Sequence, residues 1–235
     1  MNALNRETLR ALERHLGDVR GNDSVRVVAL TGAGTAFCAG ADLKAVAGPA
    51  SSDEDDFLDE IARVFALLRD LPKPVIAAVN GLALAGGLEL ALCCDLIVAA
   101  ESARMGDAHA NFGVFPGAGG AAVLPRRIPL NIAKQLLFTG ETLPASVLAA
   151  HGLVNQVVPD SELVSAVQAL GEQIASKSPL VLARMKRVAN FAADLTQAEA
   201  LREELLELRE HMLSRDFAEG LAAFAEKRTP VFEGR

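Results

Sequence analysis

The sequence predicts an α/β fold, and three observations carry that reading. Two short apolar runs, "VIAAV" (75–79) and "LIVAA" (96–100), bracket a helical stretch, the order of a right-handed parallel crossover. A third β-branched run, "VRVVAL" (25–30), ends in the turn "TGAG". Beyond Gly117 the pattern changes, and helical spacing dominates from about residue 130 to the end. An α/β core over 1–129 is therefore expected to precede a mainly helical region over 130–235.

The elements follow in order. Leu4, Leu9, Leu12 and Leu16 recur at close to helical spacing, so 4–16 reads as an amphipathic helix. "VRVVAL" reads as a buried strand, and "FCAGADL" (37–43) as a loop of small residues. Residues 48–56 are polar and acidic, the composition of a loop. "DEIARVFALLRDL" (59–71) is an amphipathic helix stopped by Pro72 and Pro74. Strand 75–79 then turns at Asn80-Gly81, "AGGLELALCCD" reads as a short helix, and 96–100 as the next strand. In the second half, "LVNQVV" (153–158) interrupts helical patterns that culminate in 195–214 and "AEGLAAFAEKR".

Composition narrows the function. Hydrophobic residues make up 51% of the 235, enough for a sizeable core, and a net charge of −7 opposes general nucleic-acid binding. The absence of Trp and Tyr removes the usual stacking platform for bases. Three cysteines, Cys38, Cys93 and Cys94, form no metal-ligand spacing, and adjacent cysteines pair poorly. Free thiols in a reducing, cytoplasmic setting are expected. The start is a charged helix and not a signal peptide, and "LELALCCDLIVAA" is broken by Glu89 and Asp95, so no membrane span is expected. "TGAGTAF" carries Phe37 where a dinucleotide loop needs its last glycine, and no P-loop occurs.

Two glycine loops hold the chemical interest. "FCAGADLK" (37–44) and "NGLALAGGLELALCCD" (80–95) both follow strands and place small residues where backbone N–H groups could approach a ligand. Facing one another, they could present converging donors to a developing oxyanion; serving tight turns alone is the equal alternative. Glu89 lies among Leu88, Leu90 and Leu92, where a partly desolvated carboxylate suits general acid–base work. Its alternative role is to stabilise the start of its own helix. A lone histidine, His109, sits in "MGDAHANFGVFPGAGG" (105–120), either as a proton carrier or as a bystander.

The stretches "VRVVALTGAGTAFCAGADLK", "PKPVIAAVNGLALAGGLELALCCDLIVAA", "GVFPGAGG" and "DFAEGLAAFAEKRTPVFEGR" closely resemble the enoyl-CoA hydratase/isomerase, or crotonase, family over nearly the whole chain. The resemblance implies a spiral of β-β-α turns, a helical C-terminal trimerisation region and a coenzyme A thioester as substrate. It implies no cofactor beyond the coenzyme A that the substrate carries, and no metal. By position, the backbone N–H groups of Ala41 and Gly86 would form the oxyanion hole. Ala39, Ala41, Asp42, Leu43 and Lys44 would line the coenzyme A path. Phe224 and Lys227 match positions that reach a neighbouring subunit's coenzyme A, although Phe224 could equally be helix-packing core. A homotrimer or a dimer of trimers is thereby implied.

Family hydratases use two glutamates that flank a water. Glu89 falls on the first position and His109 on the second. The family also places strands ahead of the "NAL" motif, whereas this sequence starts at Met1-Asn2-Ala3-Leu4; the strands are lost or a start site is misassigned. The resemblance implies an enoyl-CoA hydratase-like enzyme. Alternatives are double-bond isomerisation, thioester hydrolysis or decarboxylation, and a non-catalytic acyl-CoA binder.

Overall fold

The computed structural model describes residues 1–42 and 56–235. Helix α1 (Arg6–Arg20) is capped by Asn5, whose side chain accepts the Thr8 N–H at 2.8 Å. It starts two residues later than its spacing predicts, because Leu4 pairs as an isolated bridge with Ala41 and is buried there. Helix α2 (Phe57–Arg69) is capped by Asp56. Glu60 on its buried face receives Arg6 at 2.8 Å, which ties α2 to α1.

The strands come in pairs that feed two sheets. β1 (Val28–Thr31), β3 (Val75–Val79), β5 (Leu96–Ala100) and β8 (Gln156–Val158) form a parallel sheet in the order β1-β3-β5-β8. β2 (Ala36–Cys38), β4 (Leu82–Leu84), β6 (Arg104–Gly106) and β7 (Leu143–Pro144) form the second sheet in the order β2-β4-β6-β7, with only β7 antiparallel. The chain thus lays one strand in each sheet, crosses by α2, and repeats. The second crossover is α3 (Gly86–Leu92). This is the expected spiral of β-β-α turns, and β3 and β5 are parallel neighbours as the crossover predicts.

The sequence reading missed the second sheet. Its members are two or three residues long; β2 overlaps the first glycine loop and β4 lies inside the second, while β6 and β7 are too short to show a period. β1 also begins only at Val28, so the first three residues of "VRVVAL" fall outside it.

The core sits around β3 and α3. All five residues of β3 and all seven of α3 are buried. Each fully buried side chain such as Ile76 or Leu88 contributes about 1.5–3 kcal/mol relative to exposure. Gly87 permits the close packing: a Cβ there would lie 2.0 Å from the Cys38 carbonyl oxygen. Helix α3 is thereby seated directly on β2, which fixes where Glu89 emerges.

Past β6 come a 3₁₀ turn (His109–Phe112), α4 (Leu124–Arg127), α5 (Leu130–Thr139), α6 (Ala145–Ala150) and a second 3₁₀ turn (Asp160–Glu162). The remaining helices are α7 (Leu163–Ala175), α8 (Pro179–Ala192), α9 (Gln197–His211) and α10 (Arg215–Glu226). The helical second half is as expected, with β7 and β8 returning from it to complete the two sheets. Asp216 receives the backbone N–H groups of Glu233 and Gly234, which anchors the C-terminal tail to α10. Among the described residues, no helix is long and apolar enough to cross a membrane.

Candidate active site

A cavity of about 460 Å³ opens between the two glycine loops, α2, α3 and the 105–120 stretch. Ala39, Gly40 and Ala41 line one side, Ala85 and Gly86 another, and Glu89 and His109 share the space between them. Leu58, Ile61, Phe112, Val114 and Phe115 make much of the remaining wall apolar. Five of the site residues that the sequence singles out, Ala39, Ala41, Gly86, Glu89 and His109, therefore meet at one place.

The backbone geometry explains two of them. Leu4 donates to the Gly40 carbonyl at 2.8 Å, and the Asp42 N–H donates to Leu4 at 2.8 Å. Because N–H groups alternate in an extended chain, this bridge turns the intervening Ala41 N–H to the opposite side. Gly86 is the first residue of α3, where a helix leaves its N–H groups without intrahelical partners. The two nitrogens are neighbours: a Cβ on Gly86 would lie 3.2 Å from the Ala41 nitrogen. Ala85, immediately before Gly86, has φ of +49°, a conformation that costs an alanine about 1–3 kcal/mol and holds the loop in this turn.

Glu89 is 3% exposed. It does not cap its own helix, which has no side-chain cap. Its Oε1 instead accepts the N–H groups of Ala118 (2.8 Å) and Gly120 (2.9 Å). The "GAGG" turn (117–120) is thus a clamp for the carboxylate, and Oε2 is left for the cavity. The sequence alone does not disclose this role, since a Gly-rich stretch gives no sign of which carboxylate its N–H groups will hold.

His109 is not a surface residue; its side chain is 13% exposed. Its Nδ1 lies 2.9 Å from Oδ1 of Asp107, a residue that sequence reasoning passed over. Burial acts to lower the His109 pKa. The hydrogen bond to Asp107 and the charges of Asp107 and Glu89 together outweigh it, so the net shift is upward from the ordinary imidazole value.

The other expected residues lie elsewhere. Leu43 and Lys44 are outside the described residues, and Asp42 sits at the end of the Ala41 loop. Phe224 and Lys227 do not line the cavity of their own chain. Phe224 is 86% exposed on α10, so it is not core in this chain, and Lys227 ends that helix with φ of +55°. The cysteines are free and buried. Burial raises the thiol pKa of Cys38, and pushes that of Cys93 up to about 11, which suits packing and not nucleophilic attack.

Comparisons with known proteins match this architecture. The sequence profile described as Enoyl-CoA hydratase/isomerase matches residues 1–235. The carnitinyl-CoA dehydratase of Proteus mirabilis is 38% identical over 239 residues, spanning 100% of this chain and 91% of the relative. The crotonyl-CoA hydratase of Syntrophomonas wolfei is 37% identical over 235 residues, spanning 99% and 90%. The crystal structure of enoyl-CoA hydratase from Bacillus anthracis superposes with a TM-score of 0.93 at 38% identity, covering 99% of this chain and 91% of that one. The chain belongs to the enoyl-CoA hydratase/isomerase family, and it is an enzyme of that lyase type.

Proposed function

We propose that the chain adds water to, or eliminates it at, the double bond of an enoyl-CoA thioester. The observation that carries this reading is the shared cavity. Two backbone N–H donors, a clamped carboxylate and a carboxylate-linked imidazole line one space of about 460 Å³. The thioester oxygen accepts from the Ala41 and Gly86 N–H groups, which stabilise the enolate as it forms; one such donor is typically worth about 10²–10³ in rate. Glu89 Oε2 takes a proton from water as the hydroxyl adds to the β-carbon. The His109 imidazolium gives its Nε2 proton to the α-carbon, and the proton on Glu89 then returns to His109 through water. The reaction calls on no cofactor other than the coenzyme A of the substrate.

The same reading places the protein in a reducing, cytoplasmic compartment, consistent with its free thiols. It makes the chain a homotrimer or a dimer of trimers, in which Phe224 and Lys227 of one subunit approach coenzyme A in the next. The exposure of Phe224, Leu221 and Leu213 supports a covering neighbour. Ala39, Asp42, Leu43 and Lys44 belong to the coenzyme A path in this reading. Isomerisation, hydrolysis, decarboxylation and simple binding are separated from hydration by one experiment. Short, medium and aryl enoyl-CoAs are incubated in heavy-oxygen water and the products weighed. A 3-hydroxyacyl-CoA carrying one heavy oxygen supports the proposal; free coenzyme A, a shifted double bond or no product overturns it.

A further inference from the structure

One residue, Ala108, separates Asp107 from His109, and its φ of +58° lies in the left-handed region. That turn brings the two side chains together: Asp107 Oδ1 accepts the His109 backbone N–H at 3.3 Å and meets the ring Nδ1 at 2.9 Å. Asp107 is 1% exposed and stands behind the cavity wall, whereas His109 lines the cavity. The second carboxylate oxygen, Oδ2, is buried and has no hydrogen-bond partner among the described residues. It lies against Gly120, where a Cβ would sit 2.3 Å from Asp107 Oδ2 and 3.4 Å from Glu89 Oε1. Asp107 therefore touches the imidazole with one oxygen and borders the Glu89 clamp with the other.

We propose that Asp107 is a positioning residue: it holds the His109 Nδ1–H toward itself, aims Nε2 into the cavity, and favours the charged ring that delivers the proton. The proposal rests on the catalytic reading of His109 given above. An ionised carboxylate only accepts, so the nitrogen facing it must carry the proton. The neutral ring then presents an Nε2 lone pair to the cavity, and the charged ring an Nε2–H, in the same orientation. An untethered imidazole would divide between tautomers and ring flips. The titratable groups that face His109 are Asp107, on its own turn after β6, and Glu89, from α3. No lysine or arginine lines the cavity among the described residues. Glu89 and Asp107 are both buried, and His109 is the cavity-lining side chain that can carry a positive charge beside them.

The test reads the ring directly. Four histidines occur in the chain, and the signals absent from His109→Ala identify the relevant one by heteronuclear NMR of labelled protein. In the unaltered protein the neutral His109 ring should carry its proton on Nδ1. Asp107→Asn keeps the shape and an acceptor oxygen but removes the charge, and the proton affinity of His109 should fall about tenfold or more. With crotonyl-CoA, the same variant should lose about tenfold or more in kcat with little change in KM, the scale of a weakened acid–base group. The alkaline limb of its pH profile should move to lower pH. In the His109→Ala background, Asp107→Asn should change kcat by less than about twofold, because a residue acting only through His109 has nothing left to act on. A wild-type ring protonated on Nε2, an unchanged titration in Asp107→Asn, or equal kcat losses in both backgrounds would overturn the proposal. The NMR arms need no substrate and no turnover. Failure of the hydratase reading is thereby distinguishable from failure of the Asp107 assignment.

Discussion

At the residue scale the proposed chemistry rests on three side chains, Glu89, Asp107 and His109, and on the N–H groups of Ala41 and Gly86. His109→Ala should abolish a histidine ionisation from the rate profile and lower kcat more than it weakens binding. His109→Glu would restore the family's two carboxylates, but it places a third negative group against Asp107 and Glu89. Asp107→Asn combined with His109→Glu should therefore hydrate crotonyl-CoA faster than His109→Glu alone, and the reverse order would show that Asp107 exerts no such repulsion. Stability carries the same signature. The His109 pKa is raised in the folded state, so its pairing with Asp107 stabilises fully below the unfolded value of about 6.5. That contribution fades as pH rises through the raised folded value. On going from pH 6 to pH 9, melting of the wild-type protein should fall more than that of His109→Ala; parallel curves would contradict the pairing.

At the scale of elements, the close seating of α3 on β2 decides where Glu89 stands. Gly87→Ala puts a methyl group 2.0 Å from the Cys38 carbonyl, and backbone on both sides leaves no flexible group to yield. The variant should lose at least about 1–3 kcal/mol of stability, as overpacked cores do, measured by urea unfolding. An unchanged midpoint would mean that the helix can lift from the sheet freely. The same element shows what the sequence disclosed. "VIAAV" and "LIVAA" were legible to the residue because strands buried on both faces read as continuous apolar runs. β2, β4 and β6 were not, since three residues carry no periodicity and these lie among glycines and alanines. Glu89 and His109 stood out as polar residues in apolar surroundings. Asp107 did not, because an Asp after Gly106 reads as an ordinary turn, and only the left-handed Ala108 brings it to the imidazole. The clamp of Ala118 and Gly120 on Glu89 spans about thirty residues of sequence and is a consequence of the fold alone.

At the scale of the whole molecule, one chain leaves apolar surface that its own core does not use. Leu201, Leu205, Leu206 and Leu208 on α9 are exposed, as are Leu213, Leu221 and Phe224. In the proposed trimer a neighbouring subunit covers this surface. Light scattering at micromolar concentration should therefore give three or six subunit masses, and a single-subunit mass would remove the trimer. Phe224→Ala and Lys227→Ala should weaken coenzyme A binding about tenfold, roughly 1.4 kcal/mol, without altering the subunit fold. Unchanged affinity would dissociate these residues from the neighbouring site. Beneath these predictions lies the claim that Glu89 exchanges the proton in a cavity built to hold an acyl-CoA. The direct measurement is turnover and acyl-CoA affinity in Glu89→Gln, whose amide keeps the shape but exchanges no proton at neutral pH. Affinity should stay within about tenfold of wild type, and turnover should fall by about a hundredfold or more. Near-normal turnover would contradict the claim.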